Sequence, residues 1–150
     1  MNNANGTDNH GRRRVRRALV ADDNADIVQT LSIMLEMLGF EVRCASNGTE
    51  AITLAKSQRP DVLFLDIGMP ELDGWEVCRR VRMLMGDDPA VIAVTGYGQD
   101  DDRLRSLQAG FDAHVTKPLQ QDVLLALLVR LSGKINGTQD PPRTQAPTTS

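Results

Sequence analysis

The sequence predicts a doubly wound α/β fold, in which one five-stranded parallel sheet carries helices on both faces. Five short apolar runs alternate with longer stretches whose apolar residues recur at helical spacing. The most hydrophobic runs lack polar alternation, which is typical of parallel strands that are covered on both faces. Five βα units in this order favour right-handed crossovers that place helices on both sides of a single sheet.

The apolar runs predict strands at residues 18–21, 41–45, 62–65, 90–94 and 113–116. Two helices precede the third strand. In the first helix, which stops at Gly39, the periodic residues are Ile27, Leu31, Met34, Leu35 and Leu38. Asn47 is an N-cap for the second helix, which must end before Pro60 because the residue preceding a proline disfavours helical geometry.

Three further helices follow. Asp73 caps the third helix, whose inward-facing residues are predicted to be Val77, Val81 and Leu84. Residues 100–109 are predicted to form the fourth helix, which ends at Gly110. Residues 119–131 form the last helix and are closed by Gly133.

The 150 residues suit one domain with its own hydrophobic core. Composition predicts a disordered basic tail over residues 1–16, a folded domain over 17–133 and a disordered tail over 134–150. The net charge of −3 is uneven, because residues 18–133 carry ten Lys and Arg against eighteen Asp and Glu. The folded part is therefore a poor match to nucleic acid, and no DNA binding is expected.

The arginine run at residues 12–17 is the one strongly basic feature. Contact with nucleic acid or an anionic membrane is conceivable, but the run has no interleaved aromatic residues, and we favour no specific partner. No apolar run approaches the ~20 residues of a membrane span, and the N-terminus has no apolar signal core, so the cytoplasm is the expected location. Cys44 and Cys78 have no metal-ligand spacing and are predicted to be reduced, buried and inert.

Chemically capable residues end four of the predicted strands. Asp22 and Asp23 follow the first strand, Asp66 the third, Thr95 the fourth and Lys117 the fifth. In doubly wound folds this edge of the sheet binds ligands. Three carboxylates gathered there would repel one another unless they held a hard cation, and few oxygen ligands with room for water suit Mg²⁺. A carboxylate can also attack phosphorus, while a metal, an ammonium and a hydroxyl stabilise the transferring phosphoryl oxygens.

Four motifs around these residues together resemble the response-regulator receiver family of two-component and phosphorelay signalling. They are Val20-Ala-Asp-Asp-Asn24, Leu65-Asp-Ile-Gly-Met-Pro-Glu-Leu-Asp-Gly74, Val94-Thr-Gly96 and Thr116-Lys-Pro118. Each motif alone occurs by chance, but four in this order at βα spacing are specific, and they cover about residues 17–132. The resemblance implies a flavodoxin-like (βα)5 receiver. Such a protein is a signalling switch, not an enzyme, and it takes part in its own phosphorylation and dephosphorylation.

The resemblance implies a metal-binding and phospho-accepting role for four of the matching residues. Asp66 corresponds to the phospho-accepting aspartate. Asp22 and Asp23 correspond to the acidic pair that binds Mg²⁺, which Mn²⁺ can replace, with Asp23 as the direct ligand and Asp22 acting through water. Gly68 corresponds to the position whose backbone carbonyl contacts the metal.

Further matches concern the phosphoryl group and the surrounding loops. Thr95 corresponds to the hydroxyl that swings toward the phosphoryl group, and Lys117 to the lysine that contacts it. Pro118 corresponds to a proline preceded by a cis peptide, whose turn aims the lysine inward. Pro70 and Gly74 shape the loop after the acceptor.

Two departures from the family pattern affect the expected switch. His114 stands where the family has Tyr or Phe; the imidazole could rotate inward behind Thr95 and make signalling pH-sensitive, or remain neutral and surface-facing, which we favour. Gly68 and Tyr97 occupy the two positions that tune the phosphoryl lifetime. Gly68 has no side chain to orient water and Tyr97 can shield the acyl phosphate, so our hypothesis is slow self-hydrolysis.

The implied phosphodonor is a histidine kinase or a histidine phosphotransfer protein. The downstream partner is unknown and is expected to bind the fourth helix, fifth strand and fifth helix, around Arg103, His114 and residues 119–128. No output domain fits the remaining residues, so we expect a stand-alone receiver or a piece of a hybrid kinase, as a monomer or weak homodimer.

Two rival functions share parts of this pattern. A phosphohydrolase of the haloacid-dehalogenase type needs a second aspartate where Gly68 stands, and its cap segments are absent. A flavodoxin-like FMN carrier needs a Ser/Thr-rich phosphate loop after the first strand, which is also absent.

Overall fold

A computed structural model of the protein describes residues 15–96 and 109–135. Its five strands are β1 (Arg17–Ala21), β2 (Glu41–Ala45), β3 (Val62–Asp66), β4 (Ala90–Thr95) and β5 (Ala113–Thr116). They pair in parallel in the order β2-β1-β3-β4-β5. The helices of these residues are α1 (Ala25–Met37), α2 (Gly48–Gln58), α3 (Gly74–Met85), α4 (Gln121–Arg130) and α5 (Ser132–Ile135). The predicted doubly wound parallel sheet is therefore confirmed.

The sheet separates two hydrophobic cores. Alternate residues of the central strand β3 point to opposite faces. Leu63 and Leu65 join the core that α2 and α3 cover, whereas Val62 and Phe64 join the core that α1 and α4 cover. All four side chains are buried, which explains why this strand has no polar alternation in the sequence.

Three helix boundaries follow the predicted capping chemistry. The side chain of Asn47 accepts a hydrogen bond from the Glu50 N–H at the start of α2, and Asp73 accepts one from the Glu76 N–H at the start of α3. Gly39 follows α1 with φ +94°, a conformation that glycine adopts without strain. These predictions are confirmed.

Several local predictions are wrong. Leu84 is 52% exposed, because the buried face of α3 runs through Trp75, Cys78 and Val81 instead. The predicted last helix, residues 119–131, corresponds to α4 in the structure. Gly133 does not end the helical region but lies inside the next helix, α5, which buries Ile135 against the core. The packed chain thus reaches residue 135. The fourth predicted helix lies outside the described residues, except for its last residue.

Cysteine burial was predicted correctly at only one of two positions. Cys78 on α3 is buried, but Cys44 on β2 is exposed, and both are free thiols. Cys44 is exposed because β2 is the edge strand of the sheet and, among the strands that the structure describes, pairs only with β1. A strand at the edge is covered less completely than a central one.

Arg16 and Arg17, the last two arginines of the basic run, contact other residues of the folded domain. The Arg16 guanidinium lies 4.8 Å from the centre of the Phe40 ring, and the Arg17 Nη1 donates to the Gln58 carbonyl at 3.0 Å. Arg12, Arg13 and Arg14 lie outside the described residues. None of the helices described in residues 15–96 and 109–135 has the length and apolar content needed to cross a bilayer.

Candidate functional site

Backbone pairing brings the chemically capable residues to one edge of the sheet. Past the ends of the strands, the Ile67 N–H donates to the Val94 carbonyl at 3.1 Å and the Lys117 N–H donates to the Thr95 carbonyl at 2.8 Å. Asp66 therefore lies beside the end of β4, and Lys117 beside the last residue of that strand. The carboxyl ends of parallel strands meet here, as expected for a ligand site.

Lys117 joins two carboxylates at the centre of this edge. Its Nζ lies 3.0 Å from Asp22 Oδ2 and 3.1 Å from Asp66 Oδ1. The Asp22 and Asp66 side chains are almost fully buried, at 3% and 6% exposed, while the lysine side chain is 20% exposed. Charge-assisted hydrogen bonds of this length are strong where water is largely excluded.

A third carboxylate completes an acidic cluster. Asp23 is exposed, and one oxygen from each of Asp22, Asp23 and Asp66 lies within 4.8 Å of the others. With all three ionised, three carboxylates against the one Lys117 ammonium leave a net charge of −2. An all-oxygen donor set with this excess charge fits a hard divalent cation such as Mg²⁺.

Titration behaviour in the site reflects burial and charge together. Burial raises the pKa of the Asp22 carboxyl, as does the neighbouring Asp66 charge, although the Asn24 N–H and Lys117 act in the opposite direction. Burial acts to lower the pKa of Lys117, but the hydrogen bonds and charges of Asp22 and Asp66 outweigh it, so that pKa is raised. The lysine is thus held in its charged form, while burial and the neighbouring Asp66 charge disfavour the ionised form of Asp22.

The loop after Asp66, here called the acceptor loop (residues 67–73), is closed by short backbone contacts. The Gly68 N–H donates to Asp66 Oδ1 at 3.0 Å, and the Gly74 N–H donates to the Ile67 carbonyl at 3.2 Å. A Cβ on Gly74 would lie 2.6 Å from the Asp66 carbonyl oxygen, so no side chain fits there. Glu71 within the loop has φ 68°, a left-handed conformation.

The remaining predicted site residues occupy defined positions. Thr95 is 1% exposed and its Oγ1 donates to the Val115 carbonyl at 3.4 Å, so its hydroxyl is directed toward β5. The Lys117–Pro118 peptide bond is cis. His114 is half-buried, and the surface-facing imidazole that we favoured stays a prediction. Tyr97 lies outside the described residues.

Sequence reasoning missed a residue that supports the acidic pair. Asn24 caps α1, because its Oδ1 accepts hydrogen bonds from the N–H groups of Asp26 and Ile27. Its own N–H donates to Asp22 Oδ1 at 2.9 Å. The signal was available, since an Asn directly before a helical stretch is a common N-cap.

The family model of the response regulator receiver domain matches residues 18–129 of this chain. The chain therefore belongs to the response regulator receiver family, which is a class of phosphorylation-controlled signalling switches. It is 40% identical over 110 residues to the response regulator MprA of Mycobacterium avium (strain 104), and this match covers 73% of the chain and 48% of the relative. The chain thus spans about half the length of the curated relatives that it matches.

Solved structures agree with this assignment. A response regulator receiver domain protein (CheY-like) from Methanospirillum hungatei JF-1 superposes with a TM-score of 0.73 at 28% identity, covering 80% of this chain and 96% of that one. A two-component response regulator from Clostridium difficile gives 0.74 at 29% identity, covering 81% and 98%. A response regulator from Burkholderia pseudomallei, solved with a phosphorylated aspartic acid and a calcium ion, gives 0.68 at 28% identity, covering 74% and 65%.

Proposed function

We propose that the protein accepts a phosphoryl group on Asp66 from a phosphohistidine of a histidine kinase or histidine phosphotransfer protein, with Mg²⁺ as cofactor. The observation that carries the proposal is the bridge that Lys117 makes between Asp66 Oδ1 and Asp22 Oδ2, at 3.1 Å and 3.0 Å. It places a fixed positive charge beside the proposed nucleophile. The phosphorylated aspartic acid of the Burkholderia pseudomallei relative supports the same chemistry.

In the transfer, an oxygen of Asp66 forms a bond to phosphorus while the bond from phosphorus to the donor imidazole nitrogen breaks. The electron pair of that bond stays on the imidazole nitrogen, which takes up a proton from solvent. Asp66 Oδ1 already contacts Gly68 and Lys117, so Oδ2 is the oxygen that attacks. Lys117 then stabilises the negative charge on the phosphoryl oxygens.

The acidic cluster would hold the proposed Mg²⁺. Asp23, which is exposed, would be a direct ligand together with Asp66 and the Gly68 carbonyl, and Asp22 would act through water. Bound there, the ion supplies further positive charge to the transferring phosphoryl group. The chain's own contribution is to keep the carboxylates close and largely dehydrated, with the Asp22 and Asp66 side chains at 3% and 6% exposed.

Phosphorylation would change what the protein binds. Thr95 now donates to the Val115 carbonyl and must turn away from it to reach a phosphoryl group on Asp66. This rotation releases a contact to β5, next to His114 and α4. The proposed output surface therefore includes β5 and α4, together with the predicted helix at residues 100–109.

Intact-mass measurement with acetyl phosphate tests the proposal. The protein should gain one phosphoryl group only in the presence of Mg²⁺, and Asp66→Asn should gain none. Asp112→Asn is the matched control, because Asp112 is half-buried and ion-paired but belongs to a different cluster. A gain that persists in Asp66→Asn would refute the assignment of the acceptor.

The lifetime hypothesis has its own measurement. Gly68 is exposed and has no side chain with which to orient an attacking water. We therefore expect the phosphorylated protein to lose its group slowly after the donor is removed. Gly68→Asn should shorten the lifetime, and a wild-type half-life of seconds would contradict the hypothesis.

A further inference from the structure

The turn between β2 and α2 (residues 45–48) contacts both sides of the site. On one side, the Ala45 carbonyl accepts a hydrogen bond from the Asp22 N–H at 3.1 Å. Three residues later, Gly48 is buried against the acceptor loop. The turn itself contributes no group to the chemistry, but it connects the acidic pair to the segment that follows Asp66.

The contact between Gly48 and the acceptor loop leaves no room for a side chain. A Cβ on Gly48 would lie 2.5 Å from the Leu72 carbonyl oxygen, 2.9 Å from Leu72 Cβ and 2.8 Å from Val77 Cγ2. Ordinary contacts begin at 3.4 Å, so the loop or the helix would have to move by about 1 Å. The closest atom belongs to the backbone, which cannot rotate away as a flexible side chain can.

Neither partner in this contact is free to yield. At the start of α2, the Ser46 N–H donates to Glu50 Oε1 at 2.8 Å and the Glu50 N–H donates to Asn47 Oδ1 at 2.8 Å. Asn47 thus caps the helix, and the Glu50 carboxylate ties the first turn to the preceding residue Ser46, so the helix start is fixed on both sides of the cap. In the acceptor loop, the Leu72 N–H donates to the Pro70 carbonyl at 2.8 Å. Two residues further on, the Gly74 N–H donates to the Ile67 carbonyl at 3.2 Å, so we expect a displacement at Leu72 to move the residue that follows Asp66.

We infer that Gly48 is a positioning residue for phosphoryl acceptance, which acts by setting the distance between the acidic pair and the acceptor loop. The inference rests on the proposed function, because the proposed Mg²⁺ ligands come from both sides: Asp22 and Asp23 from one, Asp66 and Gly68 from the other. A misplacement of about 1 Å in a reacting group can lower a rate by ~10²-fold. Gly48 thus controls the site without touching the reacting atoms.

The test compares Gly48→Ala with two matched alanine variants. Thr49→Ala changes the next, exposed residue of the same helix. Gly39→Ala strains a left-handed position at φ +94° that has no atom of residues 15–96 or 109–135 within 4 Å, so it destabilises the fold without pressing on the acceptor loop. Phosphorylation by acetyl phosphate should slow by ~10- to 100-fold in Gly48→Ala alone. Mg²⁺ affinity, followed by Trp75 fluorescence, should fall at least about fivefold in the same variant.

A readout that needs neither metal nor phosphate separates this inference from the proposed function. In metal-free protein, the amide resonances of Gly68 and Asn24 report the contacts to Asp66 and Asp22. They should shift in Gly48→Ala and stay in place in Gly39→Ala. If the wild type accepted no phosphoryl group, the proposed function would be wrong. The amide resonances of the metal-free protein would still test the role of Gly48.

A second variant covers the case in which Gly48→Ala does not fold. Leu72→Ala keeps the carbonyl oxygen and Cβ that face Gly48 but removes the rest of the side chain, which packs against the core beneath α2 and α3. It should therefore loosen the acceptor loop, shift the Gly68 resonance and weaken Mg²⁺ binding severalfold. Unchanged Mg²⁺ affinity together with unchanged Gly68 and Asn24 resonances, in whichever of the two variants folds, would overturn the inference.

Discussion

Lys117 and Asp66 form an ion pair at the carboxyl edge of the sheet, with 3.1 Å between Nζ and Oδ1. The same ammonium lies 3.0 Å from Asp22 Oδ2. Since the pKa of Lys117 is raised above its usual 10.5, the ammonium keeps its charge at neutral pH, and the pair loses that charge only when the pH rises beyond that value. One cation thus balances two carboxylates that burial has largely removed from water.

Replacing Lys117 with Gln removes the positive charge that neutralises Asp22 and Asp66. The metal-free protein should lose roughly 2 kcal/mol of unfolding free energy, because two carboxylates stay buried without their cation and partial exposure reduces the full penalty. Mg²⁺ should restore stability to the variant more than to the wild type, while phosphorylation slows. Urea denaturation with and without Mg²⁺ measures this, with Lys56→Gln on exposed α2 surface as the control. Equal stability of Lys117→Gln and wild type without metal would contradict the account.

Gly74→Ala tests the close approach behind the acceptor. The new Cβ would lie 2.6 Å from the Asp66 carbonyl oxygen and 2.9 Å from Ile67 Cα. Overpacking against backbone should lower the unfolding free energy by about 2 kcal/mol. Gly68→Ala is the control, since within the described residues its Cβ would meet only Asp66 Oδ1, at 3.8 Å, and should leave stability almost unchanged. Two equally stable variants in urea titrations would show that the loop can move aside.

Arg82 should be the most important charged residue for stability at the opposite edge of the sheet. Its guanidinium donates to the carbonyls of Gly110, Gly86 and Pro89 at 2.9, 3.1 and 2.8 Å, and to Asp112 Oδ2 at 2.8 Å. The side chain is 13% exposed, so Arg82→Ala should cost ~2–4 kcal/mol of unfolding free energy. Arg80→Ala is the comparison, because its ion pair with Glu76 is at the surface and should matter little. Similar denaturation midpoints for the two variants would refute this ranking.

The buried thiol of Cys78 should lower the unfolding free energy at high pH. Burial raises the pKa of its thiol from the ordinary 9.0 to about 11. Between those values the unfolded chain has lost the proton that the folded chain keeps, so stability falls as the pH rises. The advantage of the wild type over Cys78→Ala should therefore shrink from pH 9 to pH 11 and be constant below pH 8. An advantage that does not change with pH would mean that the thiolate is tolerated in the fold.

The sequence predicted the sheet well because its central strands are buried on both faces. The predicted bounds of β2 and β5 match the structure, and β1, β3 and β4 differ by one residue at an end. A continuous apolar run such as that of β3 leaves little freedom for another assignment. What the runs did not reveal is their order in space, and this is why Cys44 on the edge strand was predicted to be buried.

Sequence reasoning placed the chemically capable residues at the strand ends but not the contacts that support them. Asp22, Asp66, Thr95 and Lys117 each follow or end a strand, so the rule for doubly wound sheets was enough to bring them together. The packing of Gly48 on Leu72 depends on how two helices and a loop meet. No local sequence pattern carries that information. For the same reason, no pattern predicted the four hydrogen-bond acceptors around Arg82.

The central claim is that Asp66 carries the phosphoryl group, and chemical mapping of the acyl phosphate tests it most directly. The protein would be phosphorylated with acetyl phosphate and Mg²⁺, reduced with borohydride to convert an aspartyl phosphate to homoserine, and sequenced by tandem mass spectrometry. Homoserine is expected at position 66 alone. Homoserine at Asp22, Asp23 or another aspartate, with an intact Asp66, would contradict it.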